Sequence, residues 1–394
     1  MSAADDIAQT DTTVTRAERR RRISVKPGPS LVRDWGSLAG IAVMAILLLA
    51  VAPAALSDFR LNNLAKYCCW AIAAVGIGLA WGRGGMLVMG QGVFFALGAY
   101  SMGMHLQLEA VGPDAIPTFM ILYDPLAPLP AFWEPFRSGA FTLFAIVALP
   151  AVGATVLGYA IFKRRVKGAY FAILTQALAV ALATLISGTI KWTGGDTGLS
   201  GFKTFFGYVL SDPVNMRLIY TITATLLVVC LVVVWQLYRS RFGELLVATR
   251  DAEERVRFLG YDPANIKLLA FVVAAVMASI GGAMFVPIVG IISPTDINAA
   301  ASIFLIAGAA LGGRAALFGP ALGALAVGYG QSTLSEQFPS LWIYLLGLMF
   351  ILVTLLLPGG FASLPKRLSG LMPRKAKDEP RPDQAADQAA EAAA

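Results

Sequence analysis

Apolar residues run through this chain in long blocks rather than in alternation. The blocks are 36–57, 64–82, 86–108, 140–162, 168–190, 218–238, 267–288, 302–313, 315–332 and 341–357. Most are near the length a helix needs to cross hydrocarbon, about 20 residues at ~1.5 Å of rise each. The eighth is too short to cross alone, and reads as the end of a broken or tilted element reaching back through 291–300. The third carries Gly84-Gly85 and Gly90-Gln-Gly92 and reads as interrupted. The pattern predicts an all-α integral membrane protein, a polytopic helical bundle of eight to ten spans, with ten preferred.

One polar stretch breaks the pattern without looking like a loop. Between two spanning blocks lies Arg239-Ser-Arg-Phe-Gly-Glu-Leu-Leu-Val-Ala-Thr-Arg-Asp-Ala-Glu-Glu-Arg-Val-Arg-Phe-Leu-Gly-Tyr261. Leu245, Ala248, Ala252, Val256 and Leu259 recur at spacings of three and four, which places them on one face of a helix. The predicted element is a short amphipathic helix held at the membrane surface by the spans on either side. It suits the docking of a soluble partner, and equally an interfacial helix that only covers the loop.

Composition agrees with the block pattern. The chain is 57% hydrophobic and 14% charged, with mean hydropathy +0.69, which argues against a soluble core of this size. Charge then orients it. With the N-terminus in the cytoplasm and ten crossings, the outer loops keep only Arg60, Lys66, Arg137, Lys191, Lys203 and Arg217 of the 31 Lys and Arg residues. That asymmetry satisfies the positive-inside rule, puts both termini in the cytoplasm and explains the net charge of +7. The cluster Arg19-Arg-Arg-Arg22 therefore reads as a lipid-facing orientation signal rather than a nucleic-acid site. The first block is of full spanning length and reads as a retained span, not a cleaved signal. The expected organisation is a disordered tail over 1–35, a membrane domain over 36–358 with its polar insert at 239–266, and a low-complexity tail over 359–394.

The candidate chemistry is sparse. Cys68, Cys69 and Cys230 all sit inside apolar blocks, without metal spacing or a disulfide framework. His105 is the single histidine, so no His-rich metal site is expected. There is no phosphate-binding Gly-x-x-x-x-Gly-Lys-Ser/Thr, no His-Glu-x-x-His and no Gly-x-Ser-x-Gly. Almost no ionisable side chain falls within the predicted spans, which argues against proton or sodium coupling. Gly308-x-x-x-Gly312 and Gly319-x-x-x-Gly323 are pairs that let helices approach closely in lipid.

Four segments carry a resemblance to a family. They are Gly84-Gly-Met-Leu-Val-Met-Gly-Gln-Gly-Val-Phe-Phe-Ala-Leu-Gly-Ala-Tyr100, Thr193-Gly-Gly-Asp-Thr-Gly-Leu199, Arg250-Asp-Ala-Glu-Glu-Arg-Val-Arg-Phe-Leu-Gly-Tyr261, and Leu311-Gly-Gly-Arg314 followed by Gly319-Pro-Ala-Leu-Gly-Ala324. Over about residues 60–360 the chain resembles the permeases of ATP-binding-cassette importers of the branched-chain amino acid and urea type, with a type II-like permease fold. Phe171-Ala-Ile-Leu-Thr-Gln-Ala-Leu178, Phe285-Val-Pro-Ile-Val-Gly-Ile-Ile-Ser-Pro294 and the loop 116–136 lean towards the urea branch. Gln91, Phe304 and Ala315 depart from the family pattern, where His, Glu and Gly are usual.

The resemblance implies a solute pathway for urea or a similar small amide, with branched-chain amino acids as the alternative. A stand-alone carrier or channel is a second alternative, and a membrane enzyme or scaffold a more distant one. It implies a second homologous permease subunit, two cytoplasmic ATP-binding subunits that hold ATP and Mg, an extracytoplasmic solute-binding protein and membrane lipid as partners. No cofactor, metal or nucleic acid is expected on this chain, and no enzymatic activity of its own. Within the resemblance, Arg250, Asp251, Glu253, Glu254, Arg255, Phe258 and Gly260 would couple to the ATPase. Gln91, Thr175, Gln176, Thr193 and Asp196 would line or gate the pathway. Interhelical hydrogen bonding is an equal reading of Thr175 and Gln176, and a turn is the plain reading of Gly194 and Gly195. The implied location is the cytoplasmic membrane.

Overall fold

The computed structural model describes residues 31–112, 115–123, 128–166 and 168–338, together with 341, 344–345, 347–348 and 351. Nearly all of both expected tails, and most of the tenth apolar block, lie outside these. Two units divide the chain. The first, Met1–Met44, is helical from Leu31, within α1 (Leu31–Ile46). The second, Ala45–Ala394, holds the other longer helices.

These are α2 (Asp58–Ile77), α3 (Gln91–Val111), α4 (Gly139–Lys163), α5 (Ala169–Gly188), α6 (Pro213–Arg239), α7 (Arg241–Phe258), α8 (Pro263–Val289), α9 (Ala299–Gly312) and α10 (Gly319–Gln337). The fold is the all-α polytopic bundle that the apolar blocks predict. Among the described residues seven helices are long and apolar enough to cross a membrane; α3 and α10, richer in Gly, Ser and Gln, fall outside that set. Helix starts are set by local chemistry. Asp212 and Asp262 accept hydrogen bonds from the Val214 and Ala264 amides, each with proline at the first helical position.

The core is α8 packed on α2, α3 and α4. Cross-contacts fix the directions. Asn62 reaches the Ile288 carbonyl at one end of α2, and Gly76 meets Ala274 further along, so α2 and α8 are antiparallel. Gln91 bonds to Ala274 and Gly103 lies beside Ile292, so α3 runs parallel to α8. Backbones touch at these crossings. A methyl group on Gly98 would strike the Ser279 carbonyl, and one on Gly282 the Phe95 carbonyl. Small residues here act as close-approach points between helices.

Two breaks interrupt this core. The first lies between α2, which runs on as a wide π turn through Gly78–Arg83, and α3. Residues 84–90 are non-helical, so the expected third span starts only at Gln91. The second separates α8 from α9. Gly290 takes a left-handed conformation (φ 79°), Ile291–Ile292 form a short strand, and Pro294–Asp296 a single 3-10 turn. The eighth block is thus a broken element, as expected. The two helix–break–helix units run in opposite senses, since α2 and α8 are antiparallel.

Three sequence expectations move. α2 begins at Asp58, behind Ser57, not at 64. Lys66, assigned to an outer loop, therefore lies roughly 12 Å along a spanning helix at ~1.5 Å per residue. The predicted face of α7 also changes. Ala252 leaves helical geometry (φ −152°, ψ 65°), and the buried face is already shifted before it. Gly243, Leu246, Thr249 and Val256 are buried, while Ala248 and Leu259 are exposed.

Candidate functional site

The features that could carry function gather at α7 and at the two breaks. α7 opens after the extended Ser240 and closes at Gly260, whose positive φ of 86° turns the chain back into α8. Its inner face is anchored by Leu246, which is fully buried. Arg250 does the connecting. One guanidinium nitrogen, Nη1, donates to the Gly82 carbonyl at 2.8 Å, and Nε donates to Asp251 at 2.7 Å. The Arg250 stem also lies over Gly85, where a Cβ would collide with it. That hydrogen bond holds the Asp251 carboxyl below the usual carboxylate range.

Beyond the kink, Glu253 pairs with Lys267 of α8 at 2.8 Å and with Arg257 at 3.3 Å, and Glu254 pairs with Arg257 at 3.2 Å. The Glu253–Lys267 pair sets the second half of α7 against the start of α8, while the two Arg257 pairs lie within α7. Arg255 is exposed. Phe258 is 90% exposed and Leu259 75%, an apolar pair at the tip of a charged helix. Such an exposed pair is the kind of anchor a partner's pocket takes up. A cavity of 480 Å³ lies beneath, bounded by Gly84–Leu87 of the first break, by Phe162 and Phe171, and by Arg250, Glu253 and Lys267.

The first break ends deep in the bundle. Gln91 is level with Ala274, roughly 16 Å along α8 from its start at ~1.5 Å per residue. Buried amides there need partners. The Met89 amide donates to Thr175 Oγ1 at 3.2 Å, and the Gly92 amide to Ser302 Oγ at 3.2 Å. Gly90 lies against the Thr175 carbonyl with no room for a side chain. Gln91 is fully buried and donates through Nε2 to the Ala274 carbonyl at 2.7 Å, while its Oε1 has no partner among the described residues. Gln176 is more exposed as a residue, yet neither end of its amide is partnered or exposed. An unpaired buried amide costs about 1–3 kcal/mol, so Gln176 calls for a solute, a water or another subunit.

Thr175 and Gln91 therefore meet at one break. Thr193 and Asp196 do not join them. Thr193 Oγ1 donates to the Ile186 carbonyl at 2.8 Å, closing the turn after α5, and Asp196 is exposed. The glycines that follow have a backbone role. Gly198 sits in positive φ (68°) with its Cα against the Ile292 carbonyl. It delivers the strand β1 (Leu199–Ser200) onto the strand at Ile291–Ile292, in antiparallel register Leu199 to Ile292. The glycine loop thus clasps the second break. Gly82, Lys267 and Ser302 escaped sequence reasoning, because their roles arise only from contacts between distant segments.

The Thr175 contact gives a direct test. Thr175→Val keeps the shape but removes the acceptor for the Met89 amide. A loss of about 1–3 kcal/mol is expected, read as a lowered melting midpoint of the purified protein. An unchanged midpoint would show that the Met89 amide finds another partner.

Residues 59–354 match the family described as the permease component of the branched-chain amino acid transport system. The chain is 26% identical over 360 residues to the high-affinity branched-chain amino acid permease protein LivM of Salmonella typhimurium, covering 86% of this chain and 78% of that one. LivM of Escherichia coli is equally similar, at 26% over 361 residues with the same coverage of each chain. BraD of Pseudomonas aeruginosa is 24% identical over 318 residues, 77% of this chain and 95% of that protein. No solved structure matches. With a family match across most of its length and a bundle of membrane-spanning helices, the chain belongs to the branched-chain amino acid transport permease family of ATP-binding-cassette importers, as a multi-pass transport subunit.

Proposed function

We propose that this chain forms half of the membrane pathway of an ATP-driven importer of branched-chain amino acids. The substrate rests on the similarity to LivM and BraD, named as branched-chain amino acid permeases and aligned across most of both chains. That similarity favours amino acids over the urea reading suggested by Phe171–Leu178. In this reading α7 lies on the cytoplasmic side, where the basic residues concentrate, and an ATP-binding subunit seats on Phe258 and Leu259. ATP and Mg are held by two such subunits. A second homologous permease completes the pathway, and a solute-binding protein delivers from outside.

The observation that carries the coupling is the Arg250–Gly82 hydrogen bond. It joins α7 to the segment that leads, through Gly84–Gly90, to Thr175 and Gln91. A displacement of α7 is thereby transmitted to the deep end of α3. The second reading, a pathway for a neutral amide such as urea, is favoured by the unpaired Gln176 amide.

Uptake of radiolabelled leucine and urea, in cells with this gene deleted and then restored, separates the two. Loss of leucine uptake alone, recovered on restoration, is the expected outcome. Loss of urea uptake with leucine unaffected would move the substrate to small amides and leave the coupling scheme in place.

A further inference from the structure

A second cavity, of 240 Å³, lies between α2, α3, α8, α9 and α10, away from Thr175 and Gln91. Its walls include Trp70, Phe95, Phe285 and Phe304, with Asp296 and Gln331 as the polar groups. At ~30 Å³ per water it has room for about eight waters, more than a single urea fills. The aromatic rings form a continuous lining. Trp70 is edge-on to Phe304 with centroids 4.9 Å apart, and Phe285 links Trp70 (6.4 Å) with Phe95 (5.4 Å).

Opposite charges flank this lining. Asp296 uses Oδ2 to accept from the Ser293 amide and hydroxyl, each at 3.0 Å. Its Oδ1 has no hydrogen-bond partner among the described residues. Lys66 stands one helical turn before Trp70, with its ammonium 4.9 Å from the centre of that ring. It reaches the cavity only across that ring and is not part of the wall itself, and no ion pair joins it to Asp296 among the described residues. Gln331 Oε1 is buried and unpartnered. Charged side chains left without a direct partner in a membrane protein are costly unless something else answers their charge. Aromatic faces attract ammonium groups.

We propose that this cavity is a binding site for the headgroup of a zwitterionic amino acid. The solute ammonium faces Asp296 and the aromatic rings, the Gln331 carbonyl accepts a further hydrogen bond from it, and the solute carboxylate faces Lys66. The site recognises the charges common to all α-amino acids and leaves the side chain to be selected elsewhere. It rests on the amino acid reading above and gives that reading a place in the fold.

The test uses the complete importer, with its own ATPases, second permease and binding protein, in proteoliposomes loaded with ATP. Asp296→Asn and Lys66→Met should each lower radiolabelled leucine uptake about tenfold, the scale of one lost charged contact. Binding-protein-stimulated ATP hydrolysis should stay within about twofold, since α7 and its contacts are untouched. The exchange Lys66→Asp with Asp296→Lys should recover part of the uptake, because both charges remain. Wild-type uptake in the single variants would overturn the site. So would a parallel loss of uptake and hydrolysis without recovery in the exchange, which would assign the pair to structure. Failure of the wild-type complex to take up leucine at all is a different result, and removes the amino acid reading together with this site.

Discussion

Replacing Phe258 and Leu259 together with Asp should abolish ATP-driven uptake while leaving the permease folded in the membrane. Both side chains are mostly in solvent, so their removal takes nothing from the core. In a docked complex they would be central anchors, and losing such anchors costs about 2–4 kcal/mol each, a fall of roughly 30-fold to 1,000-fold in affinity. The readouts are co-purification of the ATP-binding subunit and leucine uptake, with the yield and melting midpoint of the permease as the fold control. Charge reversal at Glu254 gives the contrast. It breaks an exposed ion pair with Arg257, worth about 0–1 kcal/mol, so it should reduce coupling by at most several-fold. If the double Asp variant still co-purified with the ATPase and transported, α7 would be an interfacial cover and the force would enter elsewhere.

The second large effect is expected at the crossing of α3 and α8. Gly98→Val and Gly282→Val would each drive a branched side chain into a facing backbone carbonyl, of Ser279 and of Phe95. A side chain can rotate away from such a clash, but a carbonyl inside a helix cannot. Overpacking costs about 1–3 kcal/mol where neighbours can give, and here the cost belongs at the top of that range or above it. Folded protein recovered from the membrane should drop sharply for both. Gly153→Ala is the control. It lies within α4 with nothing near its Cβ position, and helix propensity alone should stabilise it by up to ~1 kcal/mol. Equal yields from Gly98→Val and Gly153→Ala would mean that α3 and α8 do not meet as closely as described.

The helices were legible because long apolar blocks have few other uses. Their ends were less so. The block beginning at 64 hid the first turns of α2, since Asn62, Asn63 and Lys66 look like loop composition and yet belong to a helix packed on α8 and α10. The breaks could be read from Gly84, Gly85, Gly90 and from Ser293-Pro294, residues that carry their conformations with them. The kink at Ala252 could not, because alanine favours the helix it there interrupts. The site residues divide along the same line. Thr175 and Gln91 announce themselves as polar groups in apolar blocks. Lys66 and Asp296 lie 230 positions apart in the numbering, at the apparent edges of blocks. Asp296 lines the cavity and Lys66 meets its edge only through the Trp70 ring.

The two breaks also differ in what holds them. Residues after α8 are laced to a neighbouring strand at Leu199–Ser200, whereas the hydrogen bonds that reach those after α2 from distant segments come, among the described residues, from the side chains of Thr175 and Arg250. Backbone hydrogen bonds between two short paired strands resist shear; a few side-chain tethers can swing. The bundle thus contains one stiffer joint and one more compliant joint. If α7 receives a push from an ATP-binding subunit, as proposed, the compliant joint is the first it meets, and the stroke would turn α3 before it moves the other half.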